Sequence, residues 1–456
     1  SRNEKLILKR IKEVVQERLD VDFSKLNVKS AMSYLEEKFE EILDFVGYYP
    51  SEKQKKILKY YIYRDFIGLG KIEPLMHDPY IEDISCDGVG IPVYAYHRNP
   101  HIGSIETNVI FENDDELNTF VMKLAQKSEK SISMAEPLVD ASLPDGSRIQ
   151  MTFGTDIATK GSNFTIRKFT KDPITPIDLM RSGSVDSKML AYLWFCIEHE
   201  KSMLISGGTA TGKTTLLNVL SMFIKPSMKI VSIEDTPELR FSHPHWVPEV
   251  ARQALTETGG QQFGKVDLYD LLKESLRQRP DYIIVGEVRG KEAYVLFQQM
   301  ATGQPGLSTI HAETMDKLIN RLRTEPINLP PSLLENLDII VFLTRTKMGD
   351  KYIRRVKMVK EMDEYDQKND EVITNSAFEW NPKEDIFEGR GSLMLENISE
   401  QTGLSKEEIK KEIENRTTIL EWARKKKIKD YRDFGKIVRN YYANSKRFMK
   451  KVNGLM

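Results

Sequence analysis

Cysteine is almost absent from this chain. Cys86 and Cys196 are the only two in 456 residues, and they stand far apart. That excludes a disulfide framework and a four-cysteine zinc site, and it suits a reducing, cytoplasmic compartment. Histidine is sparse as well. Of seven, only His243-Pro244-His245 is close-set, and no cysteine or acidic partner stands there at metal-ligand spacing, so a polar loop is the expectation. Excess charge of one sign is missing. With 67 basic against 68 acidic residues the net charge is −1, which argues against a dedicated nucleic-acid binder. Long apolar runs are lacking too. The longest near-continuous one, Leu190-Ala191-Tyr192-Leu193-Trp194-Phe195-Cys196-Ile197, is far short of bilayer thickness, so no membrane span is expected. The start, Ser1-Arg2-Asn3-Glu4-Lys5, is not followed by the apolar segment of a secretory leader. What remains is a chain sized for about two to four domains. Its 40% apolar content allows sizeable cores.

The strongest positive signal is Gly207-Gly208-Thr209-Ala210-Thr211-Gly212-Lys213-Thr214, a G-x-x-x-x-G-K-T phosphate-binding loop. The apolar run Ser202-Met203-Leu204-Ile205-Ser206 precedes it and Leu216-Leu217-Asn218-Val219-Leu220 follows, so the loop sits between a strand and a helix, as the motif requires. Glycines let consecutive backbone N–H groups face phosphate oxygens. The helix starting near Gly212 adds the positive end of its dipole. Lys213 supplies a mobile charge for the β- and γ-phosphates, and the Thr214 hydroxyl can ligate Mg²⁺. With Thr215 beside them, these residues form the expected ATP-binding set.

The rest of the chain organises around this loop. Residues 1–67 read as helices. Leu6, Ile7, Ile11, Val14, Val15 and Leu19 fall at helical spacing, as do Met32, Leu35, Phe39, Ile42, Leu43 and Val46, and Ile57, Leu58, Tyr61 and Ile62. They form either a bundle packing on itself or, for the first segment, a partner-binding amphipathic helix. Residues 68–170 read as a mixed α+β module, with strands near 92–96, 108–111, 148–153 and 163–166 and a helix near 114–128. A proline-punctuated linker spans 171–176. Residues 177–345 alternate helices with short apolar strands at 203–206, 230–233, 282–285, 307–310 and 338–343, the pattern of a mainly parallel sheet covered on both faces. Residues 346–456 begin with a polar, strand-containing stretch and end in helices, the first opened by the capping box Ser405-Lys406-Glu407-Glu408. The tail is basic (Arg424-Lys425-Lys426-Lys427, Lys446-Arg447, Lys450-Lys451), which fits a solvated face and docking to an acidic partner or anionic lipid equally.

Ligands of open α/β sheets sit beyond the carboxyl ends of the strands. Four predicted strands end in useful chemistry: the P-loop, Glu234-Asp235-Thr236-Pro237-Glu238, Gly286-Glu287-Val288-Arg289, and His311. A typical P-loop enzyme carries a magnesium-associated Asp at the end of the third of these. Here Gly286 stands in that place, and Asp281 precedes the strand, about 15 Å of extended chain away. Glu287 is therefore the acidic candidate for the metal shell and Glu234 for water activation, with a helix N-terminal cap as the structural alternative for either. Strand alternation puts Thr309 and His311 on one face, where His311 is a candidate phosphate sensor or subunit contact and a satisfied core histidine is the plainer alternative.

At this point the chain resembles the type II/IV secretion superfamily of ATPases. The resemblance rests on the P-loop, on Ile233-Glu234-Asp235-Thr236-Pro237-Glu238-Leu239 (the Asp box), on Val285-Gly286-Glu287-Val288-Arg289 (an atypical Walker B), and on the stretch from Gly303 to Ser308-Thr309-Ile310-His311-Ala312 (the His box). Upstream, Asp140-Ala141-Ser142-Leu143-Pro144-Asp145-Gly146-Ser147-Arg148 and Arg167-Lys168-Phe169 resemble the archaeal branch. The resemblance covers roughly residues 65–345. It implies a RecA-like P-loop ATPase domain with an N-terminal α+β domain and helical N- and C-terminal extensions, assembled as a ring hexamer. It implies that Arg148 and Arg167 reach the nucleotide phosphates, where a planar fork stabilises a transferring phosphoryl group; ordinary surface pairing is their alternative. Arg277 and Arg279 also fall in a family motif. Three departures stand out. The two cysteines cannot build the metal module of bacterial secretion ATPases. The Ala-Ile-Arg-Asn-Leu-Ile-Arg-Glu-like motif of retraction motors is not found. Thr302-Gly303-Gln304 replaces a Thr-Gly-His opening of the His box.

The expected function is a cytoplasmic, Mg²⁺-dependent ATP hydrolase, peripheral to the membrane. It would power assembly of an archaeal type IV pilin-like filament, an archaellum or pilus, or related secretion. Its expected partners are further copies of itself, a polytopic membrane platform protein and filament or secretion components, with no nucleic acid. The rivals are a conjugation-type secretion ATPase, a RecA-like DNA helicase, and a nucleotide-binding assembly scaffold that does not hydrolyse.

Overall fold

Side chains on a strand alternate between its two faces, and that rule decides what each sheet here buries. The computed structural model describes residues 2–18, 28–99, 102–169, 172–252, 256–258, 261–349, 351–366 and 371–454. Leu19 of the first predicted helix and Lys171 of the predicted linker lie outside them. The chain divides into two compact units, Ser1–Phe169 and Thr170–Met456.

The first unit opens with helices Arg2–Arg18, Val28–Val46 and Glu52–Ile62. Ile11, Val15, Leu35, Phe39, Leu43 and Ile62 form their shared core. Leu6, Met32 and Ile57, placed on the same stripes by spacing, are instead 61%, 39% and 48% exposed. Helical spacing alone does not fix how wide a stripe the neighbours cover. Six antiparallel strands follow, in the spatial order Ser104–Ile110, Pro92–His97, Ile81–Cys86, Asn163–Arg167, Arg148–Thr152 and Leu138–Ser142. Helix Asp114–Lys127, capped by Asn113, packs Leu117, Val121 and Leu124 with Ile149, Phe164 and Ile166 in one core. Alternation then turns Arg148 and Arg167 to the opposite, exposed face, directly across from one another.

The second unit is built on a sheet of nine described strands. Their order is Ile386–Gly389, Glu371–Asn381, Lys351–Asp366, Ile339–Met348, Met203–Gly207, Gly306–Ile310, Tyr282–Val285, Ile230–Glu234 and Trp246–Val250. The last six run parallel and the first three antiparallel. Alternate residues serve opposite cores. Met203, Ile205, Leu307, Ile339 and Val341 face one, with helices Ser187–Glu198 and Lys213–Ser221. Leu204, Ile283, Ile310, Ile340 and Phe342 face the other, with helices Leu268–Ser275, Glu292–Ala301 and Met315–Arg323. This is the expected α/β architecture with both faces covered. Because the strands are parallel, their carboxyl ends share one edge: the P-loop, Glu234, Gly286-Glu287 and His311 all emerge there.

The polar stretch after residue 350 extends this sheet, and the terminal helices Leu393–Thr402, Lys406–Lys425, Tyr431–Ala443 and Ser445–Gly454 add to its first core. Ser405 and Glu408 form the predicted capping box. Trp194 stacks on Phe223 at 4.9 Å and donates its Nε1–H to the Tyr442 hydroxyl at 3.0 Å. Arg416, 1% exposed, lies against Trp194, Phe195 and Tyr441 and pairs with Glu198 and Glu412. Removing one partner of a buried pair leaves charge behind and costs about 3–5 kcal/mol. Glu198 and Glu412 are partly exposed, which moderates that cost. Arg416→Ala should therefore lower stability by about 3 kcal/mol, read as a lower urea midpoint at an unchanged slope.

Candidate nucleotide site

Strand Met203–Gly207 is wholly buried and delivers the loop to the sheet edge. Gly212 begins helix Lys213–Ser221 at φ +95°, a left-handed conformation that glycine adopts without strain. Thr211 Oγ1 donates to the Gly208 carbonyl at 2.9 Å, which ties the turn to itself. Thr214 and Thr215 are half-buried on the first helical turn.

Lys213 is buried and reaches across the loop. Its Nζ donates to the Gly208 carbonyl at 3.0 Å and lies 3.3 Å from each ring nitrogen of His311. Burial lowers the Lys213 pKa from its ordinary value, with Glu287 opposing. Burial, reinforced by the Lys213 charge, lowers that of His311, favouring a neutral imidazole that can accept from Lys213. His311 Nε2 stands 3.5 Å from Glu287 Oε1, and Arg289 Nη2 donates to Glu287 Oε2 at 2.6 Å. Lys213, His311, Glu287 and Arg289 thus form one continuous polar chain from P-loop to Walker B. Arg321 closes it by donating to the His311 carbonyl at 3.2 Å.

Glu234 occupies a different environment. It is 3% exposed, and its Oε1 accepts from the Glu238 and Leu239 N–H groups at 2.9 and 3.0 Å. Burial pushes its pKa up to about 7, against those two hydrogen bonds. Its neighbour explains why the usual Walker B Asp is missing. A Cβ at Gly286 would stand 3.2 Å from Glu234 Cγ, so glycine makes room for the buried glutamate. Thr309, expected on the same face as His311, is 1% exposed, and its Oγ1 donates to the Gly286 carbonyl at 2.7 Å. That bond fixes the backbone that carries Glu287.

The other sequence candidates belong to other elements of the chain. Arg148 and Arg167 belong to the antiparallel sheet of the first unit, where Arg148 makes a two-pronged pair with Asp140 at 3.2 and 2.6 Å. Arg277 pairs with Glu274 at the surface, and Arg279 occupies a left-handed turn at φ +51°. Neither shares a hydrogen bond or ion pair with the P-loop residues. His243 Nε2 bonds the Lys225 carbonyl at 3.2 Å, and the described residues hold no three-ligand metal cluster. Both cysteines are buried and unbridged. Two residues near the P-loop had escaped sequence reasoning. Arg354 Nε donates to the Ala210 carbonyl at 2.9 Å, and Glu313 Oε1 would lie 2.9 Å from a Cβ at Gly208. Glu313 directly follows the His box, two residues after His311, a usable signal; Arg354 carries none.

A family model for the type II/IV secretion system protein matches residues 99–439. The chain belongs to the type II/IV secretion system protein family. An uncharacterised protein of Methanocaldococcus jannaschii is 40% identical over 398 residues, 86% of this chain and 70% of that protein. A Sinorhizobium fredii protein described as a probable conjugal transfer protein, TrbB, is 32% identical over 251 residues, 53% of this chain and 72% of its own length. The VirB11 ATPase of the Brucella suis type IV secretion system is 24% identical, with 64% of this chain and 93% of that one aligned at a TM-score of 0.32. The family is one of secretion ATPases, as the four strand-end motifs imply.

Glu234 makes this edge sensitive to pH in a defined direction. Its folded pKa, about 7, lies above the ordinary 4.5, so the folded state holds the proton more tightly than the unfolded chain. Stability from this group is therefore full below about pH 4.5 and is lost as pH rises through 7. Glu234→Gln cannot ionise. It should melt higher than the parent at pH 8, by at most about 3 kcal/mol, and show no such gain near pH 4.5. An equal gain at both pH values would show that the carboxyl titrates normally.

Proposed function

We propose that this protein is a magnesium-dependent ATP hydrolase that works as a ring of six copies at the cytoplasmic face of a membrane. There it drives assembly of a type IV pilin-like filament, an archaellum or pilus, or related secretion. The observation that carries the hydrolytic half is the polar chain from Lys213 through His311 to Glu287 at the edge where Glu234 is buried.

In this reading the backbone N–H groups from Gly207 to Thr211 and at Gly212 cradle the phosphates, with Thr215 at the helix start. Lys213 leaves the Gly208 carbonyl for the β- and γ-phosphates, and His311 follows the γ-phosphate through Lys213. The residues fit a hard cation. Glu287 Oε1 is buried without a hydrogen bond, and Thr214 supplies a hydroxyl on the first helical turn. These two would hold Mg²⁺, Glu287 directly or through bound water, and the ion would neutralise charge on the phosphates. Glu234 takes the proton of the attacking water as the oxygen–phosphorus bond forms and ADP leaves. A carboxylate with a pKa near 7 is matched to that task at neutral pH. Arg148 and Arg167 stabilise the transferring phosphoryl group once the ring closes.

The motor half is supported by the family and by the motif order. A membrane platform protein and filament or secretion components are the proposed partners, with no nucleic acid, and no described helix is long and apolar enough to cross a bilayer. A second reading, conjugation-type secretion, draws support from the likeness to the conjugal transfer protein of Sinorhizobium fredii. DNA-stimulated turnover would favour a helicase instead, and absence of phosphate release a non-hydrolysing scaffold.

Lys213→Ala should abolish tight ATP binding in a folded protein. Glu234→Gln and Glu287→Gln should retain binding and hydrolyse about 100-fold more slowly; wild-type rates in both would place the chemistry elsewhere. Arg167→Ala should lower turnover more than affinity. Specific activity should rise with protein concentration alongside the mass measured by light scattering. A monomer with full, concentration-independent activity would overturn the ring.

A further inference from the structure

Beside the P-loop, the sheet carries an unbalanced pair of charges. Strand Ile339–Met348 is the parallel neighbour of the P-loop strand, with Leu343 opposite Gly207. It pairs antiparallel with Lys351–Asp366, and in that register Arg345 stands directly across from Arg354. Like charges in that relation repel. Neither guanidinium forms an ion pair with a described carboxylate. The two lean apart. Arg345 stacks over the Tyr352 ring, 4.6 Å from its centroid. Arg354 turns onto the P-loop, and its Nε donates to the carbonyl of Ala210, a residue held at φ +58°. Its side chain passes 3.9 Å from where a Gly212 Cβ would stand. The Nη groups of Arg354 donate to no described residue. They are unused cationic donors at a loop built to receive phosphate.

We propose that Arg345 and Arg354 form an anion subsite of the nucleotide site, taking a phosphate oxygen of ATP or ADP at the Ala210 side of the loop. This rests on the reading that the P-loop binds ATP. A phosphate oxygen is a stronger acceptor than a neutral carbonyl, since charge-assisted hydrogen bonds are roughly twice as strong. It also relieves the repulsion between the two arginines. Arg354 then acts as a positioning residue: it holds the loop apex through Ala210 before nucleotide arrives, and holds the nucleotide afterwards.

The test measures the affinity of the full chain for ATP, ADP and adenosine, together with its melting temperature without nucleotide. Arg354→Ala and Arg345→Glu should each weaken ATP and ADP binding by about tenfold and leave adenosine binding unchanged. Arg345→Glu should also raise the nucleotide-free melting temperature, because an opposite charge now faces Arg354. Arg345→Gln, which adds no negative charge, should still weaken ATP binding by about threefold. ATP affinity within about twofold of the parent in all three variants, with binding lost in Lys213→Ala, would overturn the subsite and leave the P-loop reading intact. Normal ATP affinity in Lys213→Ala would overturn both. Equal losses for adenosine and ATP would reduce the pair to a structural role.

Discussion

The close approach of Glu234 to Gly286 sets the chemistry of the whole strand edge. With 3.2 Å between Glu234 Cγ and the place of a Cβ at 286, no larger residue fits there unless Glu234 moves. An aspartate at the end of that strand would crowd the buried glutamate on the next, which would have to give way slightly. Glycine avoids that crowding. The acid moves one residue on, to Glu287, where it meets His311 and Arg289. Thr309 anchors the Gly286 carbonyl, so the glycine does not leave the edge loose. Glu234, enclosed and held by two backbone N–H groups, acquires a raised pKa that an exposed carboxylate at the same register would lack.

That arrangement opposes stability to activity. A carboxylate buried this deeply favours its neutral form, and the folded state is less stable at neutral pH for carrying it. Lys213 stands in the same position with the opposite sign, since burial disfavours its charge as well. Neither is the choice that packing alone would make. Both place a charge where burial disfavours it, so the edge carries electrostatic strain.

Legibility in the sequence followed the range of the interactions. The P-loop could be read because strand, turn and helix are contiguous and each residue type has a local reason. The parallel strands could be read because period-two burial on both faces gives short continuous apolar runs, such as Met203-Leu204-Ile205 and Tyr282-Ile283-Ile284-Val285. Strand Trp246–Val250 was missed: Pro248 and Glu249 interrupt its pattern, and it lies at the sheet's edge, where that costs little. Arg354 and Arg416 could not be read at all. Arg354 meets Ala210 across 144 positions and Arg416 meets Glu198 across 218, and a basic residue in a charged stretch looks solvated until its partner is known. Glu287 was identified by elimination, but the space that makes Gly286 necessary is visible only in three dimensions.

Two arginine pairs stand directly across strands, Arg148 with Arg167 in the first unit and Arg345 with Arg354 in the second. Their surroundings differ in a way that assigns them different thermodynamics. Arg148 is already held by both oxygens of Asp140, and Asp83 lies across from Arg167 on its other side. An anion that engaged Arg148 would therefore have to displace a carboxylate. Since that pair is half exposed, solvent screening keeps the exchange inexpensive. Among the described residues Arg345 and Arg354 have no such carboxylate to give up; a carbonyl hydrogen bond and a ring contact hold them instead. The first pair thus has carboxylates beside it, whereas the second has none among the described residues. If the protein hydrolyses ATP as proposed, a pair that keeps its charge suits attraction of nucleotide and a pair that exchanges a carboxylate suits the chemical step.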